Sequence, residues 1–221
     1  MTENEKKLLE KYFHACVNFY YVIPLRQVYK IIKLHEELKI TKEDFYAYAA
    51  ERREQNAENY IYGIFGSDEW YADEEESPIE RCELVADFLY DTPGDEEPPY
   101  YEFVKMRSTC PWYIPNAEEL LKWTDDSYEN ENPYAKKAAD FVVKAVNLTG
   151  IPEENFRDGL PLWIRMSINN PIEEVFDWME VEGITLTKKQ ANEFIPLLVE
   201  LNDHTRLPLL HGFMPCEVEN M

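Results

Sequence analysis

The sequence predicts a mainly α protein with a small β-hairpin: a winged-helix-like N-terminal part, then a C-terminal helical bundle. Three observations carry this reading. Apolar residues recur at three- and four-residue steps through most of the 221 residues. Helix-start signals built on Pro, Thr and Asn fall between those stretches. One stretch, Asn59 to Asp73 (NYIYGIFGSDEWYAD), alternates instead and carries turn residues at its centre.

In order, a first helix is expected over about residues 4–20. Leu9, Phe13, Cys16, Val17 and Tyr20 share one face. Pro24 stands where a second helix begins, at a position that needs no N–H. Leu25, Val28, Tyr29 and Ile32 form its apolar stripe, with Arg26, Lys30 and Lys33 outside. Thr41 caps a third helix, with Asp44 three residues on, close to a capping box. Phe45, Tyr48 and Ala49 face inward there; Lys42, Arg52 and Arg53 are the cations it offers a partner. In the hairpin, Tyr60, Tyr62 and Ile64 alternate with Ile61 and Phe65. Gly66-Ser67-Asp68 supplies the turn, and Trp70-Tyr71 starts the return strand. It carries no Lys or Arg to meet phosphate, so it reads as cover for the helical core rather than as a DNA-contacting wing.

Ser77-Pro78-Ile79-Glu80 reads as the start of a fourth helix carrying Ile79, Cys82, Leu84, Val85, Phe88 and Leu89. Thr92 to Pro99, rich in Pro and Gly, breaks it. The expected organisation is therefore a first domain over 1–92, a linker over 93–105 and a second domain over 106–221. In the second, Asn116 caps a short helix with Leu120, Leu121 and Trp123. Pro133 opens a longer one, to about Leu148. A helix from about Pro152 meets Pro161, where a kink or break is expected. Asn170-Pro171 starts the next, which ends at Gly183, and Thr187 opens the last, with Pro196 a bend point.

Composition narrows function. Net charge is −22, from 44 acidic and 22 basic residues, a field that repels phosphate backbones. Nucleic-acid binding by the whole protein is disfavoured, and a basic protein partner fits better. No window approaches a membrane span and the first residues hold no apolar leader, so a cytoplasmic place is expected. The four cysteines form no C-x-x-C pair and are expected reduced. With 7 glycines and no glycine-rich phosphate motif, no nucleotide cofactor is indicated. No catalytic motif is present, and no catalytic, cofactor or metal residue is assigned. His204, His211 and Cys216 lie near one another in sequence, but their spacing matches no zinc pattern. The sequence sets no oligomeric state.

From Asp68 to Glu102 there are 14 acidic residues and one basic residue, Arg81. On the expected fourth helix, Glu76, Glu80, Glu83 and Asp87 step by four, three and four, which would line them along one face. They are the candidate partner-binding residues. The competing reading is a merely solvated face of an amphipathic helix.

Two stretches resemble a known family. Cys110-Pro111-Trp112-Tyr113-Ile114-Pro115, followed by Glu118-Glu119-Leu120-Leu121-Lys122-Trp123, resembles a segment of uncharacterised proteins from Gram-positive bacteria and their mobile elements. The tail Leu201-Asn202-Asp203-His204-Thr205-Arg206-Leu207 with Gly212-Phe213-Met214-Pro215-Cys216-Glu217 resembles the same proteins. Many of them continue into a SEC-C motif, a small zinc-binding tail also seen on the SecA translocation motor. The sequence stops at Met221 without that motif, so zinc is not carried over. The family's Thr corresponds here to Met214, which cannot cap, while Pro215 and Glu217 remain. Thr205, Arg206, Gly212, Pro215 and Glu217 are thus expected to form an architectural clasp, with Arg206 on a carboxylate or on carbonyls. The resemblance implies no activity.

The leading expectation is a non-enzymatic interaction or regulatory protein with an acidic surface. The alternatives are a winged-helix nucleic-acid binder using a patch on the second and third helices, an acidic nucleic-acid mimic, and an enzyme with a site assembled from scattered residues.

Overall fold

The computed structural model describes residues 1–35, 39–55, 62–66, 77–90, 98–125, 128, 132–146 and 153–219. Among them lie ten α-helices and one three-stranded antiparallel sheet, so the protein is mainly α with a small β element. The chain divides into two compact units, Met1–Lys105 with Ile114–Tyr128, and Met106–Tyr113 with Glu129–Met221. It therefore passes between the units three times, where the sequence led us to expect one linker. Of that linker, residues 93–97 lie outside the described residues. Residues 99–105 belong to a helix that buries Tyr100 and Phe103.

The first unit contains α1 (Glu3–Tyr20), β1 (Val22–Pro24), α2 (Leu25–His35), α3 (Lys42–Glu54), β2 (Tyr62–Phe65), β3 (Glu83–Ala86), most of α4 (Pro99–Met106) and α5 (Ala117–Lys122). Order α–β–α–α–β–β with β3 central in the sheet is a winged-helix-like topology. Local chemistry starts the helices. The Thr2 hydroxyl accepts from Glu5 N–H while Glu5 reaches back to Thr2 N–H, a complete capping box. Thr41 accepts from Asp44 N–H at 3.1 Å. After α1 the chain turns at Tyr21, whose φ of 60° is left-handed; its N–H donates to Val17 and its carbonyl accepts from Ala86. Val22-Ile23-Pro24 then runs along β3, with Pro24 on an edge strand, where a missing N–H costs least. Phe13 packs edge-on to Phe45 and Tyr62 at 5.7 and 6.2 Å, joining α1, α3 and β2 in one core. Asn18 donates to the Trp123 carbonyl at 2.8 Å, which fixes the end of α5 to α1.

One expectation is corrected here. The fourth helix does not form. Residues 79–81 make one 3₁₀ turn, 83–86 are the central strand, and 87–89 make a second 3₁₀ turn. All four residues of β3 are buried, because the strand has neighbours on both sides. A short apolar run of this kind has no period that separates a buried strand from a helix. β2 lies within the expected hairpin and pairs antiparallel with β3, Tyr62 opposite Ala86 and Phe65 opposite Glu83. The expected return strand at Trp70-Tyr71 lies outside the described residues.

The second unit holds α6 (Pro133–Ala145), α7 (Glu153–Met166), α8 (Pro171–Val181), α9 (Lys188–Asp203) and the short α10 (Pro215–Val218). Ala138, Val142, Phe156, Leu160, Val175 and Phe194 are buried in its core. Asn170 and Thr187 cap α8 and α9, and Gly183 leaves α8 at φ 73°. Neither Pro161 nor Pro196 breaks its helix. Each removes one backbone hydrogen bond, and the apolar faces packed on either side hold the helix through it. No helix among the described residues is long and apolar enough to cross a membrane.

Candidate partner-binding surfaces

The expected acidic row does not exist as a helical face. Glu76 lies outside the described residues. Glu80 is exposed in the 3₁₀ turn. Glu83, in the central strand, is 9% exposed and accepts from the Tyr100 hydroxyl at 2.9 Å. Asp87 opens the next turn, half-buried, and accepts from Phe88 N–H at 2.7 Å. Only Glu80 of the three described carboxylates faces solvent fully. The four-three-four spacing needs a helical rise, and the strand puts Glu83 inside instead.

Glu80 belongs to a different surface. It lines a groove of about 400 Å³ with Lys42, Glu43, Tyr46, Ala47, Ala50 and Ile79, between α3 and the 79–81 turn. Burial, and next the Glu80 carboxylate, hold the Tyr46 phenol above its ordinary range. The helix α3, third in the winged-helix-like order, exposes Lys42, Glu43, Asp44, Ala47, Glu51 and Glu54. Its arginines are turned into the fold. Arg52 donates to Glu10 at 3.1 Å, and Glu10 also accepts from the Tyr48 and Tyr62 hydroxyls at 2.8 Å each. Arg53 donates to the Ser77 carbonyl at 2.8 Å and to the Cys82 sulfur at 3.5 Å. On α2, Arg26, Lys30 and Lys33 are exposed at helical spacing, and Lys33 also donates to the Ile40 carbonyl.

Sequence reasoning missed both Glu10 and the groove. Glu10 has no local signal, since its three donors lie 38 to 52 residues away. The groove did leave a trace: Ala47 and Ala50, small residues on the outer face of an otherwise charged helix.

The tail residues come together in the second unit. The Arg206 guanidinium lies 3.5 Å over the Tyr113 ring and donates to both Glu217 oxygens, at 2.9 and 3.4 Å, and to the Gly212 carbonyl at 3.1 Å. Glu217 also accepts from Met214 N–H at 3.0 Å, with Pro215 next at the first position of α10. Thr205 is buried and donates to the Leu201 carbonyl at 2.7 Å. His211, at φ 52°, stacks on Trp112 at 3.9 Å and bonds the Cys110 carbonyl through Nδ1. The segment 106–113 and the loop 204–217 thus grip each other, with Ser108 N–H on Leu209 and Tyr113 N–H on His211.

His204 stacks on Tyr134 and bonds the Glu200 carbonyl. Among the described residues, no three His, Cys, Asp or Glu side chains are grouped to hold a metal ion. The four cysteines are free thiols. Burial raises the Cys16 thiol above its usual titration range. Compared with known protein families, curated proteins and solved structures, the chain matches none.

Proposed function

We propose that this chain is a non-enzymatic interaction or regulatory protein of the cytoplasm, and that it meets a protein partner through the groove between α3 and the 79–81 turn. The observation behind this is the fate of the α3 arginines. Both are tied up inside the fold, and carboxylates (Glu43, Asp44, Glu51 and Glu54) fill most of the exposed positions of α3, against one exposed cation, Lys42. A phosphate backbone would meet carboxylates there, in a chain already at −22. A basic protein segment would find two carboxylates, Glu43 and Glu80, against the single Lys42, beside an apolar floor of Ala47, Ala50 and Ile79. The tail likeness to SEC-C-associated proteins supports kinship with them and adds no activity.

One observation favours a second reading, nucleic-acid binding through α2, where Arg26, Lys30 and Lys33 share a face. A single experiment separates the two. Binding of mixed duplex DNA and RNA is titrated against salt, beside capture of partners from a host lysate by wild type and by Ala47→Arg, which fills the groove. Nucleic-acid affinity weaker than micromolar, with protein partners lost in A47R, supports the groove. Micromolar affinity with a steep salt slope, abolished by R26E/K30E, transfers the function to α2.

A further inference from the structure

We propose that the second unit holds an acidic peptide with an apolar anchor residue in a groove along α6. This site is separate from the α3 groove and does not rest on it. The groove has a volume of about 440 Å³. Its floor is Phe141 and Leu197, with Pro133 at one end. Phe141 is held in place by parallel stacking on buried Phe194, at 5.8 Å and 9°. Its rim carries Lys136, Lys137 and Lys144 against one carboxylate, Asp140. That carboxylate is already engaged by Arg157 at 2.8 Å. Lys137 bridges to Glu200 on α9 at 2.6 Å. Lys136 and Lys144 are exposed and have no ion-pair partner among the described residues.

Three facts together choose the occupant. First, acidic residues outnumber basic ones two to one in this chain, 44 to 22, yet here lysines outnumber carboxylates. A local reversal of sign on a low-dielectric wall concentrates anionic ligands at that spot. Second, the floor is apolar, and phosphate or a nucleic-acid backbone gains nothing from Phe141 and Leu197. A side chain such as Trp, Phe or Leu does. Third, the spacing fits a peptide. Lys136 and Lys144 are eight helical residues apart, about 12 Å at 1.5 Å per residue. An extended chain advances about 3.3 Å per residue, so carboxylates about four residues apart reach both lysines with the anchor between them. The rim is built of lysines, compact point charges that suit separated carboxylates better than a bidentate phosphate grip.

The test uses the full chain and a short fluorescent peptide of Asp and Glu around one central Trp, read by anisotropy at low salt. The same peptide with Ala for Trp measures the anchor. Wild type should bind the Trp peptide, and K136E/K144E should weaken binding about tenfold or more. K188E/K189E, which makes the same change of charge at the exposed start of α9, should leave it within about twofold. Four results would overturn the proposal: no binding to wild type, equal weakening in both double variants, equal affinity for the Ala peptide, or a wild-type dimer that K136E/K144E dissolves. The second reduces the effect to net charge and the third to anion attraction. The last gives the groove to another copy of this chain.

Discussion

Arg52 of α3 donates to Glu10 of α1 at 3.1 Å, so the arginine an outside ligand would have met is part of the core wall. Glu10 accepts from two tyrosines as well, and its carboxylate ties α1, α3 and β2 together. Glu10→Ala removes the acceptor of all three donors. It should lower stability by about 1 to 3 kcal/mol, discounted for the partial exposure of the carboxylate, and be visible as a fall in Tm. An unchanged Tm would show that the cluster is not a fastening point.

The tyrosines of this cluster make stability depend on alkaline pH. Burial, and then the Glu10 carboxylate, raise the Tyr48 and Tyr62 phenols above their ordinary range. The folded state then keeps protons that the unfolded chain loses near pH 10. Stability from this source is complete below about pH 10 and is lost as pH rises beyond it. Melting curves between about pH 8 and 11 should show that decline. Tyr62→Phe should be less stable at neutral pH, by about 1 to 2 kcal/mol, yet decline less steeply above about pH 10. Parallel declines for variant and wild type would sink this assignment.

Glu83 and Glu80 should behave as opposites although both carry the same charge three residues apart. Glu83→Ala removes the buried acceptor of the Tyr100 hydroxyl and should cost about 1 to 3 kcal/mol in chemical denaturation. Glu80→Gln, on the surface, should stay within about 0.5 kcal/mol of wild type. Equal effects would restore the expectation that both sit on one solvated face.

Arg206 is the residue on which the clasp converges. Arg206→Lys keeps the charge but loses the planar fork on Glu217 and the flat contact with Tyr113. The expected loss is about 1 to 3 kcal/mol, measured by urea unfolding. Glu217→Gln should lose less, since Gln keeps one acceptor. An Arg206→Lys variant as stable as wild type would mean the clasp is held by its backbone bonds alone.

The sequence by itself determined what depends on neighbours a few residues away. Thr41, Asn116, Asn170 and Thr187 stand at the starts of α3, α5, α8 and α9, and each accepts from a backbone N–H three residues on. The apolar stripes of α1, α6 and α9 follow helical spacing, and the mainly helical class follows from them. Gly183 ends α8 because only a glycine adopts φ 73° without strain. The tertiary structure decided everything that joins distant segments. Residues 83–86 are a strand because β1, 59 to 63 residues earlier in the register pairs, and β2 supply partners on both edges. An isolated window with the same apolar residues has no such partners and reads as helix. Glu83 went inside for the same reason, and the acidic row of Glu80, Glu83 and Asp87 dissolved with the helix that would have aligned it. Arg52 looked available to phosphate until α1 brought Glu10 beside it, and Tyr113 met Arg206 across 93 residues of chain. Periodicity and capping act within one or two helical turns, whereas charge pairing and strand pairing are settled by whichever segment the folded core places alongside.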